Sequence, residues 1–303
     1  MQRLKAFVPY LAFAIIFLIF AATSFDRFVT VRNFSIILQQ AAVLAVVAFG
    51  MHFVITMGSI DLSVGSVLAF AGMVGAGVAV EHGIWGIPVG VLVGALMGLF
   101  NGLVYTYLKV PSFIVTLGTL LIGRGLTIIY SRSNPIPTDP ALDFLGSYPS
   151  ILYVTLAVFV IAYILYNYTA FGRYAISIGG DERVSRLSGV PVDRIKVAVF
   201  LFSGLLAGLG GVMMASRLGA ATPTTGASFE LTAISAVVLG GTPLTGGVGN
   251  LQNTVIGAVI TAMLSNGLVI LGVSSEVQQV ITGLILIGAV FISLERGKIG
   301  IIK

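Results

Sequence analysis

Glu230 and Glu276 bracket 45 residues without one charged side chain, and a segment of that kind has no means of staying dissolved in water. The same bias runs through the chain. Its 303 residues are 57% hydrophobic and 9% charged, with mean hydropathy +1.07, whereas soluble domains carry about 25% charged residues. This composition specifies an integral membrane protein. Ala6 to Phe25 is uncharged and follows Arg3 and Lys5; it exceeds the roughly 7–15 apolar residues of a signal peptide and reads as a retained first span. Without cysteine, disulfides, thiol catalysis and thiolate metal sites are excluded. The net charge of +5 would suggest nucleic acid in a soluble protein, but here the basic residues flank apolar runs, as the positive-inside rule requires. No nucleic-acid partner is expected.

At roughly 20 residues per crossing, ten candidate spans fall near 6–25, 34–57, 63–80, 84–108, 111–130, 150–169, 197–216, 229–241, 250–272 and 276–293. Alternation from a cytoplasmic Arg3 and Lys5 puts Lys109, the basic residues of 171–196, Arg296, Lys298 and Lys303 on the same side. Only Arg27, Arg32, Arg132 and Arg217 fall opposite, with Arg124 inside a span, so both termini are expected in the cytoplasm. Ser131 to Ser150, with Pro135, Pro137, Pro140 and Pro149, becomes the longest external loop and cannot be helical throughout.

An internal echo supports ten. Asn101-Gly102-Leu103-Val104 recurs as Asn266-Gly267-Leu268-Val269, and Gly118, Leu121, Ile122 and Gly123 recur as Gly283, Leu286, Ile287 and Gly288, at one offset of 165. That offset lays spans two to five onto spans seven to ten and predicts inverted-topology repeats, about 34–130 and 199–295, in a single transmembrane domain. Chance similarity among glycine-rich segments is the competing explanation. Gly86, Gly90, Gly94, Gly98 and Gly102, spaced by four, form a stripe where another helix can approach closely, and Gly204 and Gly208 do the same on a later span.

Two interruptions carry polar groups at membrane depth. Gly58-Ser59-Ile60-Asp61-Leu62-Ser63-Val64-Gly65-Ser66 combines a carboxylate, hydroxyls and glycines. Asp61 there either caps the next span through a backbone amide or borders a watery pathway. Gly240-Gly241-Thr242-Pro243-Leu244-Thr245-Gly246-Gly247-Val248-Gly249-Asn250 is the second; no Gly-Lys-Ser/Thr follows it, and no Walker lysine motif occurs anywhere, so nucleotide is not hydrolysed here by that route. His52 and His82 lack metal-ligand spacing, and no catalytic constellation is present. Glu230 and Arg124 are expected to be paired or capping. Between Phe171 and Lys196 lie eight of the 27 charged residues. Within that segment Gly180-Asp181-Glu182-Arg183-Val184-Ser185-Arg186-Leu187-Ser188-Gly189 predicts a short helix begun by acidic residues and ended at Gly189 before Pro191. A stub so short needs a partner to dock on; a solvated charged loop is the alternative.

Taken together, Ile60-Asp61-Leu62-Ser63-Val64-Gly65-Ser66, Phe171-Gly172-Arg173-Tyr174, Ile178-Gly179-Gly180, Arg186-Leu187-Ser188-Gly189-Val190, Glu230-Leu231 and Gly240-Gly241-Thr242-Pro243-Leu244 resemble the permeases of bacterial ABC sugar importers of the ribose, xylose and galactose type. The resemblance implies an all-α, ten-span fold like that of vitamin B12-type importers in the bacterial inner membrane, and no cofactor. It implies three partners: a cytoplasmic ATPase engaging Gly180, Asp181, Glu182, Arg183, Val184, Arg186, Leu187, Ser188 and Gly189, an external sugar-binding protein, and a second permease copy. Ser59 and Asp181 depart from the family's usual Gly and Asn. A neutral, hydrated sugar needs a polar path, for which Asp61, Ser63, Ser66, Glu230, Thr242 and Thr245 are the candidates for lining or gating. A permease for another small solute, such as a nucleoside, branched-chain amino acid or furanone-type sugar, and a stand-alone secondary transporter are the alternatives.

Overall fold

The structure, a computed structural model, describes residues 8–293; Arg3, Lys5, Arg296, Lys298 and Lys303 lie outside the described residues. Twelve principal helices follow one another: α1 (Val8–Thr23), α2 (Val31–Thr56), α3 (Val64–His82), α4 (Gly86–Tyr107), α5 (Ser112–Ser131), α6 (Ser150–Tyr168), α7 (Ala170–Gly180), α8 (Glu182–Leu187), α9 (Val192–Leu218), α10 (Phe229–Leu239), α11 (Leu251–Ile270) and α12 (Ser275–Ser293). Their ends obey local chemistry. The Thr30 hydroxyl accepts the Asn33 amide at 3.1 Å to open α2, and Asn250 caps α11 through the amides of Gln252 and Asn253. Gly219, at φ +74°, closes α9 in the left-handed conformation that glycine adopts without strain.

Six helical segments of the described residues are long and apolar enough to cross a membrane: α2, the pair α3–α4 taken as one, α5, α6, α9 and α11. The protein is therefore a polytopic, all-helical membrane protein. At 11 residues, α10 rises only about 16 Å, too little to cross alone. The expected span 229–241 ends in irregular backbone from Gly240 onward. The expected loop 171–196 is corrected more substantially. Most of it is helical as α7 and α8, and α9 begins at Val192 rather than near 197, because hydropathy detects only the lipid-immersed part of a helix. The first turn of α9 carries the charged Asp193. The segment 132–149 holds a 3-10 turn, Pro140–Leu142, a four-residue helix, Asp143–Gly146, and a two-residue strand, Ile136–Pro137, paired antiparallel with Ala220–Ala221.

Packing follows one rule applied twice. In the first half α3 lies against α4 and α5; in the second, α10 lies against α11 and α12. The opening helix of each half crosses over: α9 packs on α3 and α4, α2 packs on α10 and α11, and α2 and α9 cross each other. Glycine permits the closest of these contacts. The α4 stripe meets the α9 stripe so tightly that a methyl group on Gly204 would come within 2.7 Å of the Gly98 Cα, and one on Gly102 within 2.8 Å of the Val197 Cα. Gly50 of α2 likewise faces the backbone of Ser203 in α9, at 2.8 Å from a Cβ placed there. In lipid, where burying apolar surface gives no driving force between helices, this close van der Waals contact is what holds them.

Candidate functional site

At one end of the bundle the chain leaves the apolar core through α7 and α8. Phe171 stacks on Phe53 of α2 with centroids 5.2 Å apart, and Phe202 of α9 meets both rings edge-on, so α7 is fixed to the two crossing helices. The Asp181 carboxylate then accepts the Val184 amide at 2.9 Å and starts α8, and Gly189, at φ +82°, ends it. Arg186 grips Asp193 of α9 with two hydrogen bonds, at 2.7 and 3.1 Å, and Glu182 receives Lys196 at 2.7 Å. Those bonds to Asp193 hold the Arg186 guanidinium above its ordinary pKa. Lys196 in turn lies over the Tyr105 ring of α4 at 4.6 Å. Thus α8 is clamped to the first turn of the longest core helix while Val184 and Leu187, 57% and 81% exposed, point away from it. A cleft of about 610 Å³ beside the clamp is lined by Tyr105, Lys109, Glu182, Arg186, Asp193 and Lys196 among others.

Deeper in, the coil 57–63 feeds a buried polar relay. Asp61, 1% exposed, accepts the Ser63 amide at 2.9 Å and hydroxyl at 2.6 Å on one oxygen, and the Ser203 hydroxyl of α9 at 3.1 Å on the other. Asn101 of α4 donates to the Ser63 hydroxyl at 2.9 Å and receives the Thr119 hydroxyl of α5 at 2.6 Å. Ser66 donates to the Ser63 carbonyl at 2.9 Å. One continuous chain therefore joins α9, the coil, α3, α4 and α5 with no donor exposed. Asp61 satisfies the amide of Ser63, as the capping alternative supposed, and extends further than a cap by reaching Ser203. Sequence reasoning singled out neither Ser203, Asn101 as a bonded group, nor Thr119. The repeat of Asn101 at Asn266 was the available signal, yet the partners come from helices distant in sequence.

The second interruption differs. Thr242 is buried and shares the His52 imidazole with Thr254, at 3.4 and 2.9 Å, whereas Thr245 is exposed. The Gly247 amide donates to the Thr56 carbonyl at 2.8 Å, and Gly246 packs on Gly58, so both interruptions meet at the end of the bundle that bears α7. Glu230 joins neither hydrogen-bonded group. Its Oε2 has no hydrogen-bond partner and it faces Gly65 at the start of α3, where any Cβ would collide with it. Arg124 of α5 donates to the carbonyls of Thr225, at 2.6 Å, and Gly226. The six pathway candidates are thus divided among three environments.

Residues 33–290 match the family described as branched-chain amino acid transport system / permease component. Among curated proteins, the ribose import permease protein RbsC of Haemophilus influenzae is 42% identical over 275 residues, covering 87% of this chain and 85% of that one. RbsC of Bacillus subtilis is 40% identical over 309 residues, covering 98% and 94%. The L-arabinose transport system permease protein AraH of Escherichia coli K12 is 36% identical over 296 residues, covering 94% and 89%. No solved structure matches the chain. A family match over nearly every described helix, carried by a bundle with a clamped helix at one end, places this chain in the permease family of the branched-chain amino acid transport system type.

Proposed function

We propose that this chain is the membrane subunit of an ABC importer, forming the path for a monosaccharide that an external binding protein delivers and a separate cytoplasmic ATPase drives inward. The observation that carries the reading is α8. It is a single exposed helix with two bare apolar side chains, rigidly tied to α9, in a chain with no nucleotide-binding motif of its own. Burying Val184 and Leu187 in a partner groove supplies about 1.5–3 kcal/mol each, and the ion pairs transmit its displacement into the core. The segment Gly180 to Gly189, with Arg183 and Ser188 between the apolar pair and the clamp, is the docking element.

The crossed packing of the two halves supports inverted repeats at about 34–130 and 199–295, hence a ten-span core of the vitamin B12-importer type with a second copy of the permease across the path. Rocking of one half against the other would move Asp61, Ser63, Ser66, Glu230, Thr242 and Thr245. In this reading α8 and both termini face the bacterial cytoplasm and 132–149 faces out. Sugar as the substrate rests on the ribose and arabinose permeases it is similar to.

The test is uptake of a sugar panel into vesicles holding the permease, with its own ATPase inside and binding protein outside. ATP-dependent accumulation of a pentose or hexose is expected. Accumulation without the ATPase, or of a branched-chain amino acid instead, would replace this reading. As an independent check, Leu187→Asp should abolish co-purification of the ATPase while leaving the melting temperature of the permease unchanged.

A further inference from the structure

The two coils that interrupt the halves of the bundle are treated oppositely by the fold. In the coil before α3, Ser59, Asp61 and Ser63 are all buried and hydrogen-bonded, Ser59 to the Tyr105 hydroxyl and Ser63 to Asp61. In the coil before α10, Thr224 and Ser228 are exposed, Thr222 and Thr225 partly so. Yet this second coil is not at the surface end of the bundle. A methyl on Gly65 would sit 2.6 Å from the Gly226 carbonyl oxygen, and Gly65 lies in the first turn of α3, about 25 Å along that helix from its far end at 1.5 Å per residue. Ala221, five residues earlier, clusters with Met73 and Ala76 further along α3. The chain therefore descends from the far end of α9 into the middle of the bundle before α10 begins. Irregular backbone with open hydroxyls at that depth cannot face hydrocarbon; it lines a water-filled space or is covered by protein.

The coil is also shaped rather than loose. Arg124 fixes it from α5 through the carbonyls of Thr225 and Gly226, and Thr222 and Thr225 share a 2.8 Å hydroxyl bond. We propose that the coil Thr222–Ser228, braced by Arg124, is a solute-contact station of the permease itself, where hydroxyls of a hydrated, neutral polyol replace water on Thr224, Thr225 and Ser228 during passage. This rests on the sugar-importer reading and names where on this chain the sugar is met.

Because the chain has no cysteine, single-cysteine variants report without background. Thr224→Cys and Ser228→Cys, with Leu121→Cys as reference, an exposed apolar position at the middle of α5, are reconstituted with ATPase and binding protein and treated outside with a membrane-impermeant quaternary-ammonium thiol reagent. Both coil variants should react at least tenfold faster than Leu121→Cys. Reaction no faster than that reference would overturn the proposal, since the coil would then be sealed from water. D-ribose or L-arabinose, whichever the unlabelled protein accumulates, should slow modification of the Thr224→Cys variant several-fold. Protection by neither, in vesicles that do accumulate one, would overturn the contact role. Failure of unlabelled vesicles to accumulate any sugar would instead sink the sugar reading, and the labelling rates would still decide whether the coil is water-lined.

Discussion

Asp61 shows how a charged group survives inside a membrane bundle: three hydrogen bonds from Ser63 and Ser203 surround a carboxylate that water does not reach. Removing it strands those donors together. Asp61→Ala should lower stability by about 2–4 kcal/mol, read as a lower melting temperature in detergent. Asp61→Asn should cost about 1 kcal/mol, because the Ser203 hydroxyl can turn and accept from the new amide. If the two variants melt alike, the bonds to Ser203 are not what holds the coil. That Asp61 would be polar and deep was readable from its neighbours, since carboxylates between two apolar runs are rare. That it bonds Ser203, 142 residues away, was not, because hydroxyls at helical spacing are common and only the crossing of α9 over the coil selects this one.

At the scale of elements, glycine decides which helices can touch. Gly98→Val in α4 forces a branched side chain into the backbone of α9 and should cost about 1–3 kcal/mol or more, seen as lost folded yield. Gly118→Ala in α5, where nothing lies within 4 Å, should leave yield and melting temperature unchanged. The stripe was legible because its period matches one helix face; its partner was not, since any small-residue face could have answered it. The clamp on α8 behaves similarly. Asp193→Asn keeps the shape but weakens the grip of Arg186, so uptake driven by the ATPase should fall several-fold with little change in permease stability, exposed pairs contributing little to folding. Equal losses of uptake and of melting temperature would make the clamp merely structural.

For the whole molecule, the crossing of α2 and α9 makes each half incomplete without the other: neither can bury its second and third helices alone. Expressed separately, residues 31–149 and 150–293 should each be degraded, yet yield a folded pair when co-expressed. Recovery of either half alone at full yield would show that the halves are independent. The offset of 165 residues offered paired halves through a few repeated glycines and asparagines, without saying how they meet. The glycine stripes marked the faces that approach closely, but which helix answers which was not marked, because several helices carry small-residue faces.

Periodicity, charge and glycine spacing were enough to predict a membrane-embedded helical body and to offer a short helix ending at Gly189 as one of two readings, since each of these depends on residues near one another in the chain. Tertiary structure decided which polar groups close into the relay around Asp61, which hydroxyls of the coil Thr222–Ser228 are left exposed, and that Asp193 and Lys196 at the start of α9 clamp α8. Those outcomes depend on which helix arrives beside which. In a medium where all apolar faces are equivalent, that choice is made by backbone fit and hydrogen-bond partners supplied from far along the chain.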